Sequence, residues 1–520
     1  MGSERIESAS YGFRLSSRTN WSRILGALQE EVPLTRVGPR REHCVFYDTF
    51  DQSLQQSNRW LARTDDELRL TQYSSRRFMD TELANPDNER GFAARLDRSI
   101  LENRVVSSSR FRALCPTAES DDRVETYSHS VDGGKRFVLV EYRTIKPVED
   151  GGTRTRLVSV SGDVRDEALV ERLRSALARL GLLVLDNVFA YRAEKARTAF
   201  GAAAWRYLVT QEVAVVPDAS VFDALQVIGE KALQAMEELR FGVEADLDPE
   251  FLHAYRVSMR RLRSLLKAAS GGLAPVQATR LRSDLKRLGA VTNRLRDLDV
   301  LLMDSHSLGR GLPASLSIGV SELVEDLRKW RTEEHDKVKS LFCSRRYRSL
   351  LERWLALFDA SSDSGLARGR RASESFRDCA ARRIEKRMRK LGAEFSKLGK
   401  RPSDEDIHRV RVHCKDLRYL LWYARYALDV TAAEKLIKRM RKAQNALGRY
   451  NDGRMQLALF EEYLKRGDKS PESHTMAYAS AGAILQALEE RHERSRNSLF
   501  DEVAKLKSPK LLRYIDKLLA

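Results

Sequence analysis

Two stretches of this chain repeat the same frame of residues. His253 to Leu266 reads HAYRVSMRRLRSLL and His408 to Leu421 reads HRVRVHCKDLRYLL, so the two superpose without a gap at an offset of 155. Both have a histidine first, Arg-Val at the fourth and fifth positions, a basic residue at the eighth and Leu-Arg-x-Leu-Leu at the end. A frame of this length that recurs predicts that a whole structural unit occurs twice in the chain.

Each copy is predicted to form a helix with its basic residues on one side. At about 100° per residue, the basic positions of a copy fall within an arc of roughly 80°, and the apolar positions fall in the neighbouring arc. A basic face that adjoins a buried face indicates the wall of a cleft more than a freely solvated surface. The first stripe consists of His253, Arg256, Arg260, Arg263 and Lys267, and the second stripe consists of His408, Arg411, Lys415 and Arg418.

A helix-start signal precedes each copy. Residues 248–250 read DPE, which offers a cap, a proline for the first turn and an acid near the positive end of the helix dipole. Residues 403–406 read SDED at the matching offset, which is typical of a capping box. His253 and His408 are therefore expected in the second turn of a capped helix.

The duplication continues beyond the stripes. Asp297 and Asp452 recur at the same offset, and we expect them to be structural partners of arginine. A single basic helix is more commonly a solvated face, but arginine and lysine at duplicated positions suit a repeating anion such as a phosphate chain. The further candidate binding residues are Lys286 and Arg287, which pair with Arg441 and Lys442, and Arg294, which pairs with Arg449.

The positive charge of the chain lies in its C-terminal part. Residues 1–200 hold 32 Lys and Arg against 30 Asp and Glu, and residues 201–520 hold 60 against 44. Such an excess favours attraction of polyanions, which include nucleic acid, inorganic polyphosphate and an anionic membrane surface. Charge alone does not choose among these partners.

Composition argues against several other classes of protein. The five cysteines are scattered, without a CxxC pair or histidines at metal spacing, so we expect no disulfide framework, no zinc site and no cofactor. The N-terminus has no apolar leader segment, and no apolar run is long enough to insert into a membrane. We therefore expect a cytoplasmic protein.

The secondary-structure pattern changes partway along the chain. Residues 11–200 read mainly as strands, with helices predicted only around residues 21–31 and 165–180. Nearly everything after residue 217 is predicted to be helical, and SSDSG at residues 361–365 is the best break within that part. The predicted domains are residues 1–205, a linker at 206–217, and a helical domain at 218–520 with repeats at 218–360 and 366–510.

The N-terminal part resembles the triphosphate tunnel (CYTH) family. The segments that carry the resemblance are FYDTFDQSL at residues 46–54, RWLAR and ELRL soon after it, and later SVSGDVRDEALVERLRSALARLGL and NVFAYRAEK. The resemblance implies an antiparallel β-tunnel in which glutamates hold a divalent metal while lysines and arginines hold a triphosphate.

Both acidic edges of that metal site are missing from this sequence. The family's Glu-x-Glu-x-Lys strand corresponds to YGFRL at residues 11–15, and its second acidic strand corresponds to LVSV at 157–160. Because hard cations need several carboxylate oxygens, we expect no metal and no catalysis in the tunnel. Glu7 and Glu141 remain as acids. Either an anion pocket or solvated strand positions would account for Arg14, Arg63, Arg69, Arg143 and Arg156.

The helical part resembles the conserved-histidine α-helical domain (CHAD) family. The motifs that carry the resemblance are HxxRV at residues 253–257 with LR at 262–263, LRD at 295–297, HxxRV at 408–412 with KxLRY at 415–419, and LGRYND at 447–452. The resemblance implies a pair of helical bundles around a basic cavity that binds inorganic polyphosphate, often behind a tunnel domain. The predicted fold class is therefore α+β multidomain, with an antiparallel β-tunnel followed by an all-α domain of two pseudo-symmetric bundles.

Three functions stay open at this point. The first is binding of inorganic polyphosphate by the two stripes without catalysis, in a protein that could associate with polyphosphate granules. The second is a nucleic-acid-binding helical module, although no recognisable motif for it is present and aromatic residues do not interleave with the stripes. The third is a metal-dependent tripolyphosphatase or nucleotide cyclase in the tunnel.

Overall fold

The chain was analysed as a computed structural model, which divides into two compact units, Met1–Val209 and Thr210–Ala520. We refer to them as the tunnel unit and the helical unit. The structure describes residues 6–64, 67–74, 77–83, 113–149, 152–210, 215–216, 218–303, 305–310, 312–358, 368–397, 403–425, 428–467 and 475–504.

The tunnel unit is built on one antiparallel sheet whose two ends meet. Its strands lie in the order β5-β4-β3-β2-β6-β7-β8-β1-β9, and β1 also pairs with β5, which closes a ring. The fold class predicted for this part is confirmed. The strands are β1 (Ile6–Leu15), β2 (Thr35–Asp48), β3 (Arg59–Thr64), β4 (Glu67–Ser74), β5 (Arg77–Leu83), β6 (Cys115–Val131), β7 (Arg136–Pro147), β8 (Thr155–Asp163) and β9 (Leu183–Leu185).

Two of the helices in this unit cover one face of the ring. Ile24 and Leu28 of the first helix pack with Val170 and Leu173 of the third against buried valines of β7 and β8. Because a strand alternates its side chains between two faces, every second residue of these strands enters that core. The helices of the tunnel unit are α1 (Trp21–Glu31), α2 (Ser53–Gln56), α3 (Glu167–Arg179), α4 (Val188–Lys195) and α5 (Ala199–Thr210), the last of which ends at the unit boundary.

The helical unit contains only helices and their connections in the part of it that the structure describes. Three of its helices, α12, α13 and α14, begin 155 residues after α6, α7 and α8. The helices are α6 (Val221–Glu244), α7 (Pro249–Ala268), α8 (Pro275–Met303), α9 (Ser305–Leu308), α10 (Ala314–Cys343), α11 (Arg345–Phe358), α12 (Phe376–Lys397), α13 (Asp404–Ala424), α14 (Val430–Gly467) and α15 (Thr475–Ala504).

A pseudo-twofold axis relates the two repeats. Ser220 and Ser375, which are themselves 155 residues apart, pair with each other in an antiparallel bridge. The residue after each serine donates its N–H to the carbonyl of the residue before the other serine, at 2.8 and 2.9 Å. The 155-residue offset exchanges these two bonds, which agrees with the pseudo-twofold arrangement predicted from the sequence repeat.

The two repeats share part of one apolar core. The C-terminal half of α8 and the later part of α14 pack with α10 and α15, and Leu327, Trp330 and Phe460 are buried there. Gly319 allows α10 to approach α15 closely, since a Cβ on it would lie 2.1 Å from the carbonyl oxygen of Met476. The repeats are therefore held together by burial of apolar surface, and this fixes how their basic helices face each other.

Candidate functional site

The two helices that carry the stripes begin as their sequences predict. Asp248 accepts a hydrogen bond from the Glu250 N–H at 2.8 Å, and Pro249 occupies the first turn of α7. Ser403 and Asp406 form a reciprocal capping box at the start of α13. Both caps satisfy N–H groups that would otherwise lack partners, so the two stripes start at matched positions on matched helices.

The stripes border the buried faces of α7 and α13. The apolar residues beside them, Leu252, Met259, Leu262 and Leu266 in α7 and Ile407, Cys414, Leu417 and Leu421 in α13, are at most 4 % exposed. Arg256, Arg260, Arg411, Lys415 and Arg418 are only partly exposed. Their stems are therefore packed while their charged ends reach a common space, which is the arrangement of a cleft wall.

The tertiary structure brings the two stripes together. Lys415 of α13 interacts electrostatically with Arg260 and Arg263 of α7, besides Arg411 of its own helix. Arg418 interacts with Arg260 and with Arg441 of α14. Arg260 thus lies within reach of both stripes, and the two repeats contribute to one concentration of positive charge.

The pKa of Lys415 is lowered by burial and by the neighbouring positive charges. Burial lowers the pKa of Lys415 to about 7, and the charges of Arg260, Arg411 and Arg263 act in the same direction. The nearby carboxylate of Asp416 opposes this shift without cancelling it. A lysine in this setting is about half protonated at neutral pH, and a bound polyanion would restore its proton.

Arg256 is held in place by α8. Its guanidinium donates to Thr292 Oγ1 and to Asn293 Oδ1, each at 2.8 Å. Burial and, to a smaller extent, the charge of Arg260 lower the pKa of Arg256 to about 10, although Asp297 acts in the opposite direction. These two hydrogen bonds hold Arg256 against α8, and Asp297 is close enough to affect its charge.

Two donors at this place are buried without a protein acceptor. Arg260 Nε and Arg418 Nε have no hydrogen-bond partner among the residues that the structure describes. The guanidinium of Arg418 also lies 4.7 Å from the ring centre of Tyr419, which fixes its plane. A buried donor without an acceptor is costly, and an anion in the cleft would supply that acceptor.

Arg296 belongs to this site although the offset comparison did not select it. It donates to the Pro249 carbonyl at 3.1 Å, and burial together with the charge of Arg260 lowers its pKa. Its counterpart in the second repeat is Asn451, which is not basic, so a comparison of the two repeats does not select Arg296. The LRD motif at residues 295–297 was the one sequence clue. We call the following residues the central cationic cluster: Arg256, Arg260, Arg263, Arg296, Arg411, Lys415, Arg418 and Arg441.

The candidate residues of α8 divide between two faces. Lys286 is exposed and lies two turns before Asn293, the residue that anchors Arg256, so it shares the face that borders the cluster. Arg287 pairs instead with Asp284 and lines a separate groove beside Arg353. Adjacent residues on a helix point about 100° apart, so Lys286 and Arg287 lie on different faces of α8.

Arg294 is engaged by the shared core region. It forms an ion pair with Glu462 of α14 and lies 5.4 Å from the ring centre of Trp330. It therefore joins α8 to α10 and α14 within the interface between the repeats. Its counterpart Arg449 has a side chain outside the described residues.

The remaining candidates lie at the margins of the cluster. His253 Nε2 is 3.8 Å from Glu250 Oε1, while His408 is exposed. Lys442 is exposed on α14. Lys267, at the end of the first stripe, reaches across to α13 and pairs with Asp416 at 3.0 Å.

Inside the tunnel unit, opposite charges neutralise each other. Arg143 contacts Glu42 at 2.7 Å and Asp122 at 2.8 Å, and Arg192 contacts the same two carboxylates at 3.3 and 3.1 Å. Glu141 pairs with Arg40 at 2.7 Å. Burial opposes ionisation of Glu42, yet Arg143 and Arg192 lower its pKa to about 2. These six side chains form the tunnel network, in which three carboxylates meet three arginines.

The acids and arginines predicted for the tunnel site have the following surroundings. Among the described residues, no group of three or more histidine, cysteine, aspartate or glutamate side chains could hold a metal ion. Glu141 is taken up by Arg40 and Arg143, and the side chain of Glu7 lies outside the described residues. Of the other tunnel arginines considered from sequence, Arg14 and Arg69 are exposed, Arg63 lies over Tyr47, and Arg156 donates to Ser16 O.

No helix in the described part of the chain is both long and apolar enough to cross a membrane.

Taken together, the helical unit is a duplicated helical protein module with a cluster of arginine and lysine where its repeats meet. Residues 227–461 match the family model of the CHAD domain, the family that the sequence motifs of the helical part resemble. No match is found among curated proteins.

Several solved structures are similar to part of this chain. The crystal structure of the CHAD domain from the plant Ricinus communis is 23% identical, with a TM-score of 0.46, over 56% of this chain and 95% of that one. PptA from Streptomyces chartreusis is 17% identical, with a TM-score of 0.39, over 56% and 98%. HpAC1 from Hippeastrum, described as having a dominant triphosphatase activity, is 14% identical, with a TM-score of 0.26, over 38% and 99%.

Proposed function

We propose that the helical unit binds inorganic polyphosphate in the central cationic cluster and that the chain carries out no catalysis. The observation that carries this proposal is the convergence of cations from both repeats on Arg260. Burial lowers the pKa values of Lys415 and Arg256, and repulsion from the neighbouring arginines adds to that effect. A bound polyanion relieves the repulsion among these cations. The cluster without a ligand is therefore arranged to bind a polyanion.

The chemistry of the cluster suits a chain of phosphates. Each internal phosphate of polyphosphate carries negative charge and offers acceptor oxygens, and arginine gives directed, charge-assisted hydrogen bonds to such oxygens. The CHAD domain is linked in general to polyphosphate binding. A cytoplasmic location and association with polyphosphate granules would accompany this ligand and form part of the same proposal.

The tunnel unit has its own reason to be catalytically silent in this proposal. Phosphoryl transfer needs stabilisation of charge on the transferring group, which a metal ion with several carboxylate ligands normally supplies. Here Glu42, Asp122 and Glu141 are instead paired with arginines. The pairing removes both the metal ligands and the cations that would hold a triphosphate.

Nucleic acid is the competing partner, and the aromatic residues near the cluster argue against it. Arg261 lies 4.7 Å from the ring centre of Trp422, and Arg418 lies at the same distance from that of Tyr419. Base stacking needs an open aromatic face. Rings already covered by arginine do not offer one.

The test is a titration of the full chain with long-chain polyphosphate near neutral pH, with single-stranded DNA as competitor. We expect saturable binding that DNA displaces only at a large excess of phosphate groups. Displacement at equal phosphate would favour the nucleic-acid module instead. Because both ligands respond to salt, the comparison is made at one salt concentration. Phosphate release from tripolyphosphate with Mg²⁺ or Mn²⁺, abolished by Glu141→Gln, would contradict the silent tunnel.

Lys415 predicts a pH dependence of this binding. Since its pKa in the unliganded protein is about 7, polyphosphate binding should take up a proton, and affinity should fall by up to about tenfold per pH unit above pH 7. Calorimetry at pH 7.5 in buffers of different ionisation enthalpy measures this uptake. Lys415→Arg keeps the charge but does not titrate, so it should bind with little pH dependence between pH 7 and 8.5. An unchanged proton uptake in that variant would assign the effect to another group.

A further inference from the structure

A second basic cavity lies between α7, α12 and α13, and we call it the asymmetric groove. It has a volume of about 180 Å³. Asp416 and the small side chains of Ser264 and Ala268 form part of its wall. Its cations are Lys267, Arg383, Lys386, Arg387 and Lys390.

The cations of the asymmetric groove exceed what its single acid can neutralise. Asp416 pairs with Lys267 at 3.0 Å and with Arg387 at 3.5 Å. Lys386 and Lys390 are exposed and have no carboxylate partner in the described chain. The groove therefore carries a strong positive excess beside an open cavity.

Arg383 is built into the wall of the groove. It donates to the carbonyl of Lys267 at 2.9 Å and to that of Ser270 at 3.2 Å, which ties α12 to the end of α7. Its Nε is buried and has no acceptor among the described residues. His413 of α13 is close to Arg387 and Lys390, and its Nδ1 is likewise buried without a partner there. The buried Arg383 Nε, on a residue that lines the groove, is thus a donor without an acceptor in the described part of the chain.

The corresponding positions of the other repeat carry much larger side chains. Ser264, Lys267 and Ala268 correspond, 155 residues later, to Tyr419, Trp422 and Tyr423. Tyr423 is fully buried and Tyr419 nearly so. Three large aromatic residues thus fill the space on that side of the axis. On this side small residues and one lysine leave it open.

The α12 wall of the groove differs from its counterpart in the opposite way, because its side chains are charged where those of the other repeat are apolar. Arg383, Arg387 and Lys390 correspond to Ile228, Ala232 and Ala235 in α6, all of which are buried. The pseudo-twofold axis therefore preserves the helices but not the chemistry of the groove. A basic helix that is only solvated does not require small side chains on the helix that faces it, whereas a binding cavity does.

We propose that the asymmetric groove is a second anion site, present in one repeat only, which binds a short chain of phosphoryl groups. Arg383 to Lys390 spans about 10 Å along α12, longer than a single phosphate group. Lys267 ends the first stripe, so the groove adjoins the central cationic cluster. Its ligand could be a free oligophosphate or the end of a longer chain. The proposal shares a ligand class with the proposed function but uses other residues, so each can fail without the other.

The test uses the full chain with tripolyphosphate as the probe, in the Arg260→Gln/Arg418→Gln background that disables the central cationic cluster. We expect one tripolyphosphate site to remain, and its affinity to fall about tenfold or more when Lys386→Gln and Lys390→Gln are added, because each lysine gives charge-assisted contacts. Both lysines are exposed, so the fold should persist. Lys231→Gln, at the position of the other repeat that matches Lys386, is the matched control and should leave affinity unchanged.

A steric variant separates a site from general attraction. Ser264→Tyr restores the aromatic residue of the other repeat, fills the groove and removes no charge, and it should also abolish tripolyphosphate binding. Long-chain polyphosphate bound to the otherwise unmodified protein distinguishes the two sources of ligand. If Lys386→Gln/Lys390→Gln lowers the affinity for long-chain polyphosphate, the ligand of the groove is the end of a longer chain. If the affinity is unchanged, the ligand is a free oligophosphate. No tripolyphosphate site in the starting background, or a site indifferent to both groove variants, would overturn the proposal.

Discussion

Replacing Arg260 and Arg418 together with glutamine is expected to weaken polyphosphate binding by about two to four orders of magnitude, since a hydrogen bond to a charged group contributes roughly 1.5–3 kcal/mol. Arg260 interacts with cations of both stripes, and each of the two arginines has a buried Nε without a protein acceptor. Isothermal titration of the full chain with long-chain polyphosphate measures the change.

The same double variant should not be less stable than the wild type. Burial and neighbouring positive charge both lower the pKa of Arg418, so loss of its charge relieves repulsion in the folded state. Arg328→Gln/Lys337→Gln removes two exposed charges from α10 and is the matched control. If the control weakens binding as much as the cluster variant does, net charge binds polyphosphate and the cluster has no special role.

Arg143→Met is expected to destabilise the tunnel unit by about 3–5 kcal/mol, because removal of one partner leaves buried charges uncompensated. Arg143 is 4 % exposed and contacts Glu42 and Asp122. Without it Asp122 would retain Arg192, and Glu42 would retain Arg192 and the more exposed Arg40. Hydrogen exchange in β2, β6 and β7, with urea unfolding, reports the loss within that unit. Because the folded-state pKa of Glu42 is about 2, the stabilisation is present above about pH 4.5 and should disappear as the pH falls toward 2.

Arg165→Met is the control for that experiment. Arg165 also pairs with an aspartate, Asp163, but its side chain is 66% exposed, so its loss should destabilise the tunnel unit far less than the loss of Arg143. Equal effects of the two substitutions would mean that the tunnel network does not hold the ring together. Anion binding within the tunnel would then need to be considered again.

Periodicity and repetition were enough to predict the helical architecture. The positions of α7 and α13 followed from caps that act within one turn, and such local hydrogen bonds are visible in a sequence. The constant offset likewise predicted the pseudo-twofold relation that the Ser220–Ser375 bridge displays. The strand-rich pattern of the first 200 residues predicted a β-rich domain, and the resemblance to the triphosphate tunnel family implied that its strands form an antiparallel tunnel.

Periodicity and repetition could not predict which side chains from different helices or strands meet. Lys286 and Arg287 are adjacent in the chain, yet Arg287 pairs with Asp284 in another groove. Arg296 has no duplicate and was not selected, although it joins the central cationic cluster. The pairing of Arg143 with Glu42, 101 residues away, depends on strand neighbours that no local pattern encodes.

The sequence by itself determined that two matched helices carry matched basic stripes, because helix caps and a 100° turn per residue act locally. The tertiary structure decided which of those charges meet. Packing of α7 against α13 places Lys415 beside Arg260 and sends Lys267 toward Asp416. Electrostatic interactions depend on distance and burial, and both exist only after the two repeats have packed.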